Sequence, residues 1–179
     1  MDRRDVPRSQ DDLRTERLRL RPWRVADAAF HRQLWEERDE RVPARRRITP
    51  DGHPTVAEME DWLRAYEPTP APGLFVVEQI ATPGAVGYCG LVENSVGNPA
   101  EPELAFEFLR DYWGRGFATE ASRVIVDRAA AIGYDHLAST VREWNTASLK
   151  VLDKLGFVLT GEREHDAVHG DSILLRKRL

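Results

Sequence analysis

Residues 103–121 read ELAFEFLRDYWGRGFATEA, and the fold is decided there. As far as Leu109 apolar and polar residues alternate with the two-residue period of a half-buried strand. Trp113, Gly114, Arg115, Gly116, Phe117 and Ala118 then break that period, and a helix is predicted to begin near Thr119. Two glycines at a strand-to-helix turn let backbone N–H groups and the positive end of a helix dipole converge on one point, which suits an anion.

Downstream, Ala121, Ile125, Ala129 and Ile132 recur at helical spacing and Gly133 follows as a stop. His136–Val141 reads as a strand and Asn145–Leu155 as a short helix stopped by Gly156. Phe157–Gly161 and Ser172–Arg178 read as closing strands. Upstream, Leu74–Ile80 and Ala85–Glu93 form a hairpin through Thr82, Pro83 and Gly84, and a polar loop, Asn94–Pro102, leads to the central strand. Two helices precede the proline-rich connector at 67–73: Val25–Arg38, with Ala28, Leu34 and Trp35 on one side, and Val56–Tyr66, with Met59, Trp62 and Leu63 inward. In Arg17–Arg21, Leu18 and Leu20 alternate with arginines as in a half-buried strand. Residues 1–13 read as a loose extension and 14–179 as one domain. Because strands alternate with helices only in the second half, a mixed α/β sheet of six to seven mostly antiparallel strands, with about four helices, is expected rather than a doubly wound one.

The chain of 179 residues can bury a full core without staples. Its one cysteine, Cys89, excludes an internal disulfide. No apolar run approaches the roughly 20 residues that span a bilayer, and Asp2, Arg3, Arg4 and Asp5 form no apolar signal core, so a soluble cytoplasmic protein is expected, with no membrane partner. A net charge of -4 argues against a general nucleic-acid binder; Arg45, Arg46 and Arg47 fit a solvated loop or a contact to an acidic partner.

The glycine turn is not a nucleotide P-loop, which needs a lysine followed by Ser or Thr where Phe117 and Ala118 stand. A dinucleotide fingerprint would want a third glycine at Thr119 and a place after the first strand. Taken alone, the glycines also fit a helix entry that needs only a tight turn. A second motif lies downstream, where Arg142, Glu143, Trp144, Asn145, Thr146, Ala147 and Ser148 open a helix that ends Lys154, Leu155, Gly156, Phe157. Together with Tyr112–Ala121 it resembles the GNAT superfamily of acyl-CoA-dependent N-acyltransferases, and within it the branch of ribosomal-protein N-terminal acetyltransferases. The opening strand, TERLRLRP at 15–22, is similar to the first strand of that branch, and the resemblance covers most of the chain from Thr15 onward.

The resemblance implies acetyl-CoA as cosubstrate and no metal. It maps the pyrophosphate onto Trp113, Gly114, Arg115, Gly116, Phe117, Ala118 and Thr119, and the thioester onto Phe108, Leu109 and Arg110. There the central strand is expected to splay from its neighbour, so that a freed N–H meets the reacting carbonyl. Glycine permits close approach of the pyrophosphate to backbone, and Arg115 adds a charge-assisted contact. Asn145 reads as a helix cap and, through the resemblance, as a contact to the pantetheine or pyrophosphate arm; Ser148 becomes the candidate proton donor to the leaving thiolate. For a base, Glu103 ranks first; Glu107, on the same strand face, and Glu93 are the other candidates, each also readable as an exposed carboxylate. An α-amine with a pKa of about 8 needs such a base far less than a lysine near 10.4. Cys89 reads as a buried structural thiol, which favours direct attack by the amine in a ternary complex, and His165 and His169 read as hairpin residues rather than metal ligands. The acceptor is a protein N-terminal α-amine or a small amine, received near residues 35–62, by a monomer or homodimer. The competing reading is an acyl-CoA sensor without turnover.

Overall fold

The computed structural model describes residues 11–94 and 96–179, so most of the extension expected at 1–13 lies outside the described residues. Eight strands form one sheet in the spatial order β1-β2-β3-β4-β5-β6-β8-β7. They are β1 (Leu13–Arg14), β2 (Leu18–Pro22), β3 (Leu74–Gln79), β4 (Ala85–Val92), β5 (Glu103–Phe108), β6 (His136–Arg142), β7 (Val158–Glu164) and β8 (Ser172–Arg178). The helices are α1 (Ala28–Glu36), α2 (Val56–Ala65), α3 (Phe117–Ile132) and α4 (Thr146–Lys154). The expected α/β architecture is present, and the strand beyond the expected six to seven is β1, which pairs Leu13 with Leu20 of β2.

Each sheet face is set by strand parity. Cys89 on β4 faces α3, its sulfur 3.4 Å from Ser122 Oγ. Leu104 and Phe108 join the same buried cluster as Ala121, Ile125 and Ala129. Tyr88 and Glu107, paired across β4 and β5, face the other way, toward α1, where Arg38 meets them. Among the described residues no helix is long and apolar enough to cross a membrane.

Two sequence expectations change. Arg21 on β2 is buried at 5% exposure, because Asp27 takes its Nη1 and Nη2 at 2.8 and 2.7 Å and Glu78 takes its Nε at 2.6 Å. A buried guanidinium is tolerated only when paired in this way. Trp62 is not inward on α2; it is 47% exposed and packs on Trp35 of α1, ring centroids 5.6 Å apart.

The feature that positions the site is a divergence inside the sheet. β5 keeps a full ladder with β4, from Glu103 opposite Val92 to Phe108 opposite Gly87. With β6, its parallel neighbour, it shares one register pair, Glu103 with Ala138. The sheet therefore opens toward the C-terminal end of β5, as the splay expectation required.

Candidate functional site

At that open end the chain makes one 3-10 turn, Arg110–Tyr112, and enters α3 through the glycine turn. Gly114 and Gly116 have φ of 71° and 80°, values that side chains resist. Gly116 is the N-cap of α3, so the helix starts at Phe117, ahead of the expected Thr119, and no side chain caps its first N–H groups. A Cβ at Gly114 would meet nothing within 4 Å, and one at Gly116 only Arg17 Nη2 at 3.5 Å. Open space thus lies before uncapped donors, and the residues present fit a pyrophosphate. Phe117 is 4% exposed and belongs to the core, so of its groups only the backbone is available; Ala118 packs against the same core. The Arg115 guanidinium rests on the Tyr112 ring at 5.2 Å, while its carbonyl accepts from Arg17 Nη1 at 3.0 Å. Arg17, which sequence reasoning missed as a loop support, also binds Glu120 through Nε at 2.7 Å.

Hydrogen-bond parity sorts the three expected thioester residues. Leu109 N–H donates to Val86 O at 3.0 Å, and Arg110 N–H to Glu37 Oε2 at 2.7 Å. Leu104 O faces β6 and accepts from Ser139 Oγ. In a strand, N–H direction alternates, so the N–H groups of Phe106 and Phe108 point to the side from which β6 has turned away. Of the expected residues, Phe108 alone offers its N–H there without an intervening partner. Its carbonyl accepts from Trp113 Nε1 at 2.6 Å, which ties the first residue of the glycine turn to the strand.

The second motif opens α4, the helix that follows β6. Asn145 caps α4, its Oδ1 accepting from Ser148 N–H at 3.2 Å, and Ser148 is half-buried. Trp144 donates its indole N–H to His169 O at 2.7 Å, and Arg41 lies 4.1 Å over its ring. This stack joins the loop after α1 to the turn after β6.

The carboxylates separate along β5. Glu103 sits where β5 still pairs with β6, and Thr140 Oγ1 donates to it at 2.7 Å. Glu93 is exposed just past β4, near the same closed end. Glu107 lies four residues on, roughly 13 Å along the strand, at the open end. Its Oε1 accepts from Arg38 Nε at 2.7 Å; its Oε2 accepts from Arg38 Nη2 at 2.5 Å and Tyr88 OH at 3.0 Å. Burial raises the Tyr88 hydroxyl pKa, so it stays a donor. Arg38, 8% exposed, was not singled out from the sequence: it sits 69 residues from Glu107, and no local pattern links them.

A cleft of about 790 Å³ runs between Trp35, Arg38, Arg47, Ile48 and Arg110, beside the open end of β5. Apart from Arg110, its lining comes from the stretch expected to receive the acceptor. Other reactive side chains are committed elsewhere: Cys89 is fully buried, its thiol pKa pushed up to about 12 by burial, His165 contacts Asp171 at 2.7 Å, and His169 contacts Asp166 at 3.1 Å.

The family model described as acetyltransferase (GNAT) domain matches residues 17–158. An uncharacterized N-acetyltransferase p20 of Bacillus licheniformis is 28% identical over 157 residues, 84% of each chain. A putative GnaT-family acetyltransferase from Bordetella pertussis superposes with a TM-score of 0.74 at 21% identity, over 94% of this chain and 99% of that one. A putative acetyltransferase from Salmonella typhimurium, solved with its cofactor acetyl-CoA, superposes with a TM-score of 0.65 at 16% identity, over 90% and 94%. With a glycine turn, a strand divergence and a capped α4 in the order the resemblance required, the chain belongs to the GNAT family of acetyl-CoA-dependent N-acetyltransferases.

Proposed function

We propose that this chain acetylates a primary amine by direct attack within a ternary complex, and that the opening between β5 and β6 holds the thioester arm. The carrying observation is that β5 loses β6 as a neighbour immediately before a glycine turn whose N–H donors are uncapped. Bound acetyl-CoA supplies an activated acyl group on a thiol leaving group. Gly114, Gly116 and the first turn of α3 hold the pyrophosphate through backbone, with Arg115 adjacent. Asn145 borders the same arm while capping α4. Phe108 N–H is the donor offered to the carbonyl oxygen, where charge grows as the amine nitrogen bonds to the acyl carbon and the carbon–sulfur bond breaks.

Ser148 is assigned to the departing sulfur, whose thiol range near 8.5 asks for modest help. Its hydroxyl makes no hydrogen bond among the described residues, which leaves it available. Glu107 at the open end is assigned to ordering the amine and accepting its proton, directly or through water. Glu103, held by Thr140 at the closed end, is the weaker candidate of the two.

The test incubates the protein with acetyl-CoA and a panel of peptides and small amines, following thiol release beside thermal shift. Release with at least one amine, lost in Ser148→Ala while acetyl-CoA still stabilises the fold, supports the reading. Stabilisation without release for any amine favours a sensor; no stabilisation by any coenzyme A thioester removes the site.

A further inference from the structure

The cleft beside the open end of β5 is lined by four acidic and four basic side chains, so its formal charge is zero. Six of the eight are committed. Arg38 holds Glu107, Arg41 holds Asp39 at 2.8 Å, and Glu36 pairs with Arg32. The Arg110 guanidinium donates to Glu37 O at 2.9 and 2.6 Å, and the Arg110 N–H donates to the Glu37 carboxylate. Glu40, which is exposed, and Arg47 are left over, and no ion pair joins them.

Arg47 is half-buried, and its Nε is buried without a hydrogen-bond partner among the described residues. Native proteins pair nearly all such groups, so the exception calls for a reason. The Nε is closed to any ligand. The two Nη nitrogens also lack a partner among the described residues but keep accessible surface, so two free donors of one guanidinium line the cleft.

Local structure puts them there. A 3-10 turn, Ala44–Arg46, follows Pro43, and Arg47 closes it in an extended conformation, its N–H donating to Ala44 O at 3.1 Å. The three consecutive arginines therefore part company: Arg45 is exposed and lines neither cleft, Arg46 lines a smaller one of about 220 Å³, and Arg47 lines the larger. Arg38 fixes the turn relative to the reacting end of the sheet. Its Nη1 donates to Arg46 O at 2.7 Å, while its Nε and Nη2 hold Glu107. One peptide unit thus separates Arg47 from the group that binds Glu107.

We propose that the amine acceptor also carries a carboxylate, which Arg47 takes through Nη1 and Nη2, so that the substrate class is an ω-amino acid rather than a diamine. A planar guanidinium with two free donors matches a carboxylate in geometry as well as charge. Such an occupant is itself neutral overall, as the cleft is, and its amine end is left for Glu107. Arg38 stands between the two anchors, so the charges of the occupant sit at the ends of a chain and not on one carbon. Trp35 and Ile48 supply apolar surface for the methylenes between them. A diamine would set its second ammonium against the unpaired Arg47, and the one uncommitted carboxylate, Glu40, is exposed, where a pair contributes little. The inference rests on the acetyl-transfer reading, and the test keeps the two apart.

Isothermal titration of the protein, without acetyl-CoA, compares δ-aminovalerate, δ-aminovaleramide and cadaverine, which share a five-carbon chain and a terminal amine. δ-Aminovalerate is expected to bind about tenfold more tightly than either of the others. In Arg47→Met that preference should fall below about twofold, and in Arg47→Lys, which keeps the charge without the planar fork, it should persist in part. Arg45→Met removes the same charge from an exposed position and should leave it unchanged. The Tm of Arg47→Met should not fall, because the substitution removes an unpaired buried donor and strands no partner. Equal or tighter binding of the amide or of cadaverine, absence of binding by all three, a preference that survives Arg47→Met, or one lost equally in Arg45→Met overturns the proposal. Acetylation of other amines but of no ω-amino acid removes the carboxylate's part in acceptor choice. Binding of δ-aminovalerate through Arg47 with no acetylation of any amine strikes the transfer reading alone.

Discussion

Replacing Glu107 by Gln tests the pair on which the acceptor side is built. Arg38 is 8% exposed and Glu107 20%, and the guanidinium spans both carboxylate oxygens at 2.7 and 2.5 Å. Removing one partner of a buried pair costs about 3–5 kcal/mol, because the other charge stays buried without compensation. Gln keeps one acceptor oxygen for Arg38, which puts the loss near the lower bound, about 3 kcal/mol. For a chain of this length that corresponds to a Tm lower by roughly 6–12 °C. The double variant Arg38→Met/Glu107→Gln buries no unpaired charge and should recover more than half of the loss. In the same Glu107→Gln protein, kcat/KM for the amine should fall by about 100-fold through lost positioning and proton transfer, while acetyl-CoA still raises Tm. Urea unfolding monitored by tryptophan fluorescence, beside thiol release, measures both effects. A loss of less than about 1 kcal/mol, or a double variant as unstable as the sum of its singles, would refute the reasoning about the pair.

Gly116→Val should cost about 2 kcal/mol through the left-handed φ of 80° and weaken acetyl-CoA binding more than tenfold; unchanged affinity by titration would move the pyrophosphate away from this turn. His31, with its folded pKa lowered to about 4 from 6.5, lets the unfolded chain bind a proton that the fold refuses, so stability should drop as pH falls from about 6.5 to 4 and not change above that window. Unfolding curves for wild type and His31→Phe should therefore diverge across it by up to about 3 kcal/mol, and parallel curves would contradict a neutral buried ring. Cys89, with no exposed surface and its thiol pKa pushed up to about 12, should label with a thiol reagent at pH 8 only as fast as the protein opens, and rapid labelling of the native state would contradict its place under α3.

Much of the fold was legible because it rests on local periods. Alternation announced β3, β4 and β5, spacings of three and four announced α3, and Gly133 stopped that helix where it was expected, in the left-handed conformation. The glycine turn was legible for the same reason: a positive φ is a property of one residue, and the residue type reveals it. Asn145 as a cap was equally local, since its partner, the Ser148 N–H, is three residues away.

The groups around the open end of β5 were less legible. Arg21 read as a solvated arginine on a half-buried strand, yet Asp27 and Glu78, brought from a helix entry and from β3, bury it. Glu103 and Glu107 were equivalent by parity; only the divergence of β6 puts one at a closed end and the other at an open one. Leu109 and Phe108 were adjacent candidates until the register with β4 claimed the Leu109 N–H.

The sequence by itself determined the order of elements, the glycine turn and the family, since each depends on residue types at fixed short spacing. Which N–H stays free, which carboxylate lies at the open end of the sheet, and which histidine nitrogen is buried without a partner were decided by the tertiary structure. Those properties belong to pairs of residues distant in sequence, and only packing chooses the pairs.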